Sequence, residues 1–142
     1  MKKTQFGQAE INLLLNELDL TEINLDWIIL LIAKTGIRYG EALAITPADF
    51  DFEKGLLTIN KAWFDEGFRP LKTPASARTV EIDGEIAEQF GRLLQDKPSD
   101  MPVFTQDRMA AVNGRLRAHC KKAKVPIAYV YSLRHALYQQ QN

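Results

Sequence analysis

Between Asn24 and Gly36 lies the segment Leu25 to Thr35, apolar almost all round. A helix without a polar face must be surrounded by other elements. The segment therefore predicts a central helix packed on several sides, and with it a largely helical fold. Asn24 is a suitable N-cap, and Gly36 can end the helix in the left-handed conformation. The longest apolar run, Trp27 to Ala33, falls far short of the roughly 18 residues needed to cross a membrane. A chain of 142 residues with 46% hydrophobic and 25% charged side chains has enough apolar surface to enclose such a helix in one domain.

On either side the hydrophobic period is legible. Gln8 to Leu18 places Ile11, Leu14, Leu15 and Leu18 at helical spacing. A short helix from Tyr39 to Ile45 should stop at Thr46-Pro47, because the residue before proline avoids helical geometry. Leu57 to Asn60 and Thr79 to Ile82 alternate apolar and polar residues, as half-buried strands do. Phe68 to Lys72 is expected to be a third strand, joined to the first through Asp65-Glu66-Gly67. Asp83 should cap a helix to about Leu94, Met101 to Phe104 reads as extended, and Gln106 to Lys122 reads as helical. A last helix should begin near Tyr131 or Ser132. The expected class is α+β, mainly α: a helical domain with a small three-stranded antiparallel sheet.

Several chemistries lose their footing. A single cysteine, Cys120, excludes an internal disulfide, and two histidines cannot complete a Cys/His zinc cluster. Neither a P-loop nor a G-x-G-x-x-G occurs, so no metal and no nucleotide cofactor is expected. The start lacks the apolar segment of a secretory signal, which points to a cytoplasmic protein. The formal charge is zero, but residues 1–71 carry 7 basic and 11 acidic side chains, and residues 72–142 carry 11 basic and 7 acidic. The densest basic block holds Arg115, Arg117, Lys121, Lys122 and Lys124 without an acid. Such a block offers counter-ions to phosphates, although it is also what a solvated helix face looks like.

Three positions carry the candidate chemistry. Arg38 follows Thr35-Gly36-Ile37 at the entry to the short helix, with Glu41 three residues on. A guanidinium held between two helices can offer its planar fork to an anion, and Glu41 has the spacing to orient it. Lys72 sits where a strand meets the loop Lys-Thr-Pro-Ala-Ser-Ala, within swinging reach of a leaving oxygen. Arg134, beside His135, is expected in the first turn of the last helix, where free N–H groups already favour an anion. Each alone is also what an ordinary surface residue looks like, and for Lys72 taken alone an ordinary loop lysine is the favoured reading.

Together they acquire a common explanation. Thr35-Gly36-Ile37-Arg38-Tyr39-Gly40-Glu41-Ala42-Leu43 resembles the first arginine box of the tyrosine recombinases, the phage-integrase family. Leu71-Lys72-Thr73-Pro74-Ala75-Ser76-Ala77-Arg78-Thr79-Val80 resembles its lysine-bearing hairpin, and Ser132-Leu133-Arg134-His135 the core of its second arginine box. The matches occur in family order and extend over roughly residues 5–138.

The resemblance implies that Arg38 and Arg134 grip the non-bridging oxygens of a scissile DNA phosphate. Lys72 would protonate the departing 5′-hydroxyl, with Glu41 and His135 in support. Thr73, Arg115, Arg117, Lys121, Lys122 and Lys124 are candidates for the DNA backbone. In this family a tyrosine attacks the phosphate and forms a 3′-phosphotyrosyl link, without metal or nucleotide.

Two departures qualify the match. Tyr131 stands where the second box normally opens with histidine, and a phenol, with a pKa of about 10, is a poor base near neutrality. The family's nucleophilic tyrosine lies beyond the second box, and none of Tyr39, Tyr129, Tyr131 and Tyr138 occupies its place. Residues 1–142 are therefore expected to form a partial catalytic domain. It would lack the N-terminal DNA-clamping domain and the nucleophile segment of a bacterial or phage-encoded integrase. Its partners would be duplex DNA and, in the intact protein, other recombinase protomers. The rival expectations are a non-catalytic DNA-binding regulator on the same scaffold and a helical protein-interaction module.

Overall fold

The computed structural model describes residues 7–64, 67–70, 77–105 and 109–140. Along the chain run α1 (Gln8–Leu15), α2 (Leu25–Thr35), α3 (Tyr39–Leu43) and a 3-10 turn (Pro47–Asp49). Strands β1 (Phe50–Asp51), β2 (Leu56–Ile59), β3 (Lys61–Phe64), β4 (Gly67–Pro70) and β5 (Arg78–Glu81) follow. Helices α4 (Gly84–Leu93), α5 (Met109–Ala123) and α6 (Val130–Gln140) complete the described elements. They form two compact units, Met1–Tyr39 with Asp107–Asn142, and Gly40–Gln106.

In the first unit α2 is the hub. Every residue from Asp26 to Ala33 is buried, and α5 and α6 both pack on the helix, while α1 packs on α5. Helix α5 contributes Val112, Leu116 and Cys120 at four-residue spacing, and α6 contributes Val130, Leu133 and Ala136 at three-residue spacing. Burial raises the Cys120 thiol above its ordinary pKa, against a smaller opposing effect of a backbone hydrogen bond from Ala128. Asn24 caps α2 by accepting the Asp26 N–H at 2.8 Å, as expected. The cost of truncating such a core residue, Leu116→Ala for example, is about 2–5 kcal/mol.

In the second unit the expected three-stranded antiparallel sheet is present, but its membership differs. The sheet is β1-β2-β5, with Leu57 opposite Val80 and Phe50 opposite Leu57. The segment expected as the third strand, β4, instead pairs with β3 in a separate two-stranded ladder. Alternation over β2 and β5 reports a half-buried face, whereas the two-residue β1 is too short to leave a periodic trace. Beneath the sheet, Phe90 of α4 meets Phe50 edge-on at 4.8 Å and stacks on Phe104 at 6.3 Å. Within this unit a Cβ on Gly40 would lie 2.8 Å from the carbonyl oxygen of Trp63. Glycine is what lets α3 approach β3 so closely.

Other boundaries move less. Helix α1 ends at Leu15, and its last turn tightens through Glu17 N–H to Leu14 O at 3.0 Å and Leu18 N–H to Leu15 O at 3.2 Å. Residues 101–104 form no strand; the Val103 N–H donates to the Ile45 carbonyl at 2.8 Å.

Candidate nucleic-acid interface

Helix α2 stops where the sequence says it should. Gly36 takes φ 76° and ψ 14°, and its N–H donates to the Ile32 carbonyl at 2.9 Å. Left-handed geometry turns the following chain away from the helix axis and re-aims the Gly36 carbonyl. That carbonyl accepts the Nε–H of Arg134 at 2.6 Å, across 98 residues of sequence. Arg38 stands two residues beyond Gly36 and is exposed. The structure thus carries Arg134 to the turn that bears Arg38.

The reason Arg134 arrives there is not the one expected. Helix α6 begins at Val130, so Arg134 is its fifth residue and lies in the second turn. At that helix end the Val130 N–H donates to Asn113 Oδ1 at 2.8 Å, and the N–H of the preceding Tyr129 donates to Ser132 Oγ at 3.3 Å. The bond at Nε ties Arg134 to the Gly36 carbonyl. A guanidinium held by Nε has the plane of its fork set, and it meets an oxyanion through its terminal nitrogens.

Tyr131 and His135 sit on the same helix one turn apart. Their rings stack with centroids 5.6 Å apart and planes inclined by 25°. Tyr131 is 70% exposed. Lys72 and Thr73 lie outside the described residues, as does the side chain of Tyr138.

Glu41 has a partner that sequence reasoning did not assign to it. Within its own unit the buried carboxylate, 2% exposed, accepts from both terminal nitrogens of Arg78, at 3.0 and 2.9 Å. Arg78 opens β5, immediately after the lysine-bearing segment. The one available signal was its place in Ser76-Ala77-Arg78-Thr79, quoted for the resemblance but given no role.

The basic block divides. Arg115 is committed inside the fold: its Nε donates to Asp26 Oδ1 at 2.9 Å. His119 Nε2 lies 2.9 Å from the same oxygen, and the Asp19 N–H donates to Oδ2 at 2.8 Å. Burial alone pushes the Asp26 carboxyl up. The hydrogen bonds from Arg115, the Asp19 N–H and His119 outweigh it, and the carboxyl lies below its ordinary value of 3.8. Arg115, expected as a DNA-backbone contact, thus also serves as a partner of a buried acid. Asp26 and His119 were missed because their meeting depends on α5 crossing α2. Lys122 lies 3.9 Å from Glu17, and Arg117, Lys121 and Lys124 are exposed. Among the described residues no group of three or more His, Cys, Asp and Glu is placed to hold a metal, and no helix is long and apolar enough to cross a membrane.

No family model and no curated protein sequence matches the chain. Solved structures do match. The Tn1549 transposon integrase, in complex with transposon right end DNA, superposes with a TM-score of 0.71 at 17% identity, over 99% of this chain and 54% of that one. XerA recombinase gives 0.72 at 17% identity, over 98% and 49%. XerH site-specific recombinase, bound to its difH substrate in a pre-cleavage complex, gives 0.63 at 20% identity, over 98% and 44%. The fold is that of the tyrosine recombinase catalytic domain, and the chain spans about half the length of these structures.

Proposed function

We propose that this chain is the phosphate-gripping portion of a site-specific DNA recombinase of the integrase type, with Arg38 and Arg134 acting together on the backbone of duplex DNA. The observation that carries the reading is the bond from Arg134 Nε to the carbonyl of Gly36, two residues before Arg38. Two guanidinium groups aimed at one phosphate would stabilise the extra negative charge that develops on its non-bridging oxygens during transfer. Lys72 is assigned to protonate the departing 5′-hydroxyl, with Thr73, Arg117, Lys121 and Lys124 along the backbone and Glu41, a member of the first box, in support. The intact protein would cleave and rejoin DNA through a 3′-phosphotyrosyl intermediate, its nucleophile supplied from beyond the second box.

Duplex binding by the 142-residue chain should weaken as salt rises, and incubation with duplex should yield no covalent protein–DNA adduct. Absence of binding at low salt would sink the reading. An adduct mapped to Tyr131 or Tyr138 would show that the nucleophile lies inside the chain.

Tyr131 favours a second reading, a DNA-binding regulator that keeps the scaffold without the chemistry. Its ring stands at the histidine position of the second box and faces largely into solvent. If the reading frame continues past Asn142 and its product binds a site but forms no adduct, the regulator is the better description.

A further inference from the structure

Six large apolar or aromatic side chains are exposed among the described residues, and three of them, Ile127, Tyr129 and Tyr131, fall within five consecutive positions. Their exposure is a consequence of register. Ala128 and Val130 point inward and are buried, so the alternate residues must point outward. The segment is fixed in place by the Val130 bond to Asn113 and the Tyr129 bond to Ser132. Tyr131, at 70% exposure, is the most prominent of the three, and His135 backs one face of its ring.

The surroundings select the kind of partner. From Met109 to Asn142 the sequence has six Lys and Arg side chains and no acidic one; Arg117 and Lys121 are exposed on α5, and Lys124 is exposed just beyond its end. An exposed aromatic surface on a stretch of chain that carries basic and no acidic side chains suits a polyanion that also offers flat apolar faces. Nucleic acid bases are such faces, but an intact duplex hides them in its stack. We infer that Tyr131, supported by His135, is a stacking platform for an unstacked base, so that this chain prefers DNA interrupted by a gap over intact duplex. The inference rests on the DNA-binding reading above and names the form of DNA it favours.

The test compares, with the full chain at one fixed salt concentration, a continuous duplex and the same duplex with a one-nucleotide gap opposite 2-aminopurine. Stacking contributes about a factor of ten per base. The gapped duplex should therefore bind about tenfold more tightly, with quenching of the 2-aminopurine. Tyr131→Ala should abolish both the preference and the quenching, while Tyr131→Phe should keep both, since the ring and not the hydroxyl stacks.

Equal affinity for the two duplexes would overturn the platform and leave the duplex reading intact. Tyr131→Phe behaving like Tyr131→Ala would assign the hydroxyl to a phosphate instead and overturn it as well. Binding of the gapped duplex alone would support the platform against the duplex reading. Binding of neither, or self-association lost in Tyr131→Ala, would make this a protein-facing surface and overturn the proposal.

Discussion

The two ends of α2 each receive an arginine from a distant helix, and they use it differently. At the N-terminal end Arg115 of α5 meets the buried carboxylate of Asp26. At the C-terminal end Arg134 of α6 meets the carbonyl of Gly36. Both placements agree with the helix dipole, which favours a carboxylate in the first turn and a cation beyond the last. The acceptor makes the difference. A carboxylate sets a full negative charge against the guanidinium, whereas a carbonyl orients the guanidinium without bringing a charge of its own. Arg115 is therefore the partner of a buried acid, and under the proposed function Arg134 is the arginine presented to the phosphate.

This contrast predicts unequal losses of stability. Asp26 is wholly buried, so Asp26→Ala should destabilise the fold by about 3 kcal/mol or more, because it strands Arg115 and His119 without their acceptor. Arg115, 41% exposed, is partly screened by water, and Arg115→Ala should cost about 1–2 kcal/mol. Arg134→Ala gives up the charged donor's bond to the Gly36 carbonyl, a loss of about 1.5 kcal/mol. Urea unfolding measures all three. Equal losses at the two ends would break the comparison.

Asp26 also sets an acid limb. Its folded pKa is depressed below 3.8, so below that value the unfolded chain binds the proton more readily than the folded one. The stabilisation is present above the unfolded value and is lost as pH falls through the folded one. Stability measured between about pH 5 and pH 2 should fall less steeply in Asp26→Asn than in the parent. An unchanged acid limb would place the lost protons on other carboxylates.

The smallest expected effect concerns the end of α5. Lys124 holds φ at 62°, a conformation that disfavours any side chain with a Cβ. Lys124→Gly should therefore stabilise the fold by about 1 kcal/mol while removing one exposed charge. A loss of stability would mean that the lysine stem packs usefully there.

Much of this was legible in the sequence where a single helix carried the message. Asn24, the apolar run and Gly36 defined α2 to the residue, and Asp83 capped α4 as expected, its side chain accepting the Glu85 N–H at 3.2 Å. Short or cooperative features were not legible. Strand β1 has two residues and exists only because β2 supplies its ladder. The Glu41–Arg78 pair joins residues 37 apart, and Asp26 reaches Arg115 across 89. In each case local spacing offered a nearer partner, or none. Arg134 was expected at a helix N-terminus, whereas it lies in the second turn and its Nε is held by the Gly36 carbonyl. A carbonyl acceptor has no sequence signature, because every residue carries one.

The central claim is that Arg38 and Arg134 act on one phosphate, and a double-mutant cycle on duplex binding tests it most directly. Affinity and its salt dependence would be measured for the parent chain, Arg38→Ala, Arg134→Ala and the double variant, each first shown to be folded. Each single substitution should flatten the salt slope by about one unit. The double variant should lose less affinity than the sum of the singles, by about 0.5–3 kcal/mol of coupling. Additive losses would mean that the two arginines contact separate phosphates, and unchanged slopes would mean that neither touches DNA.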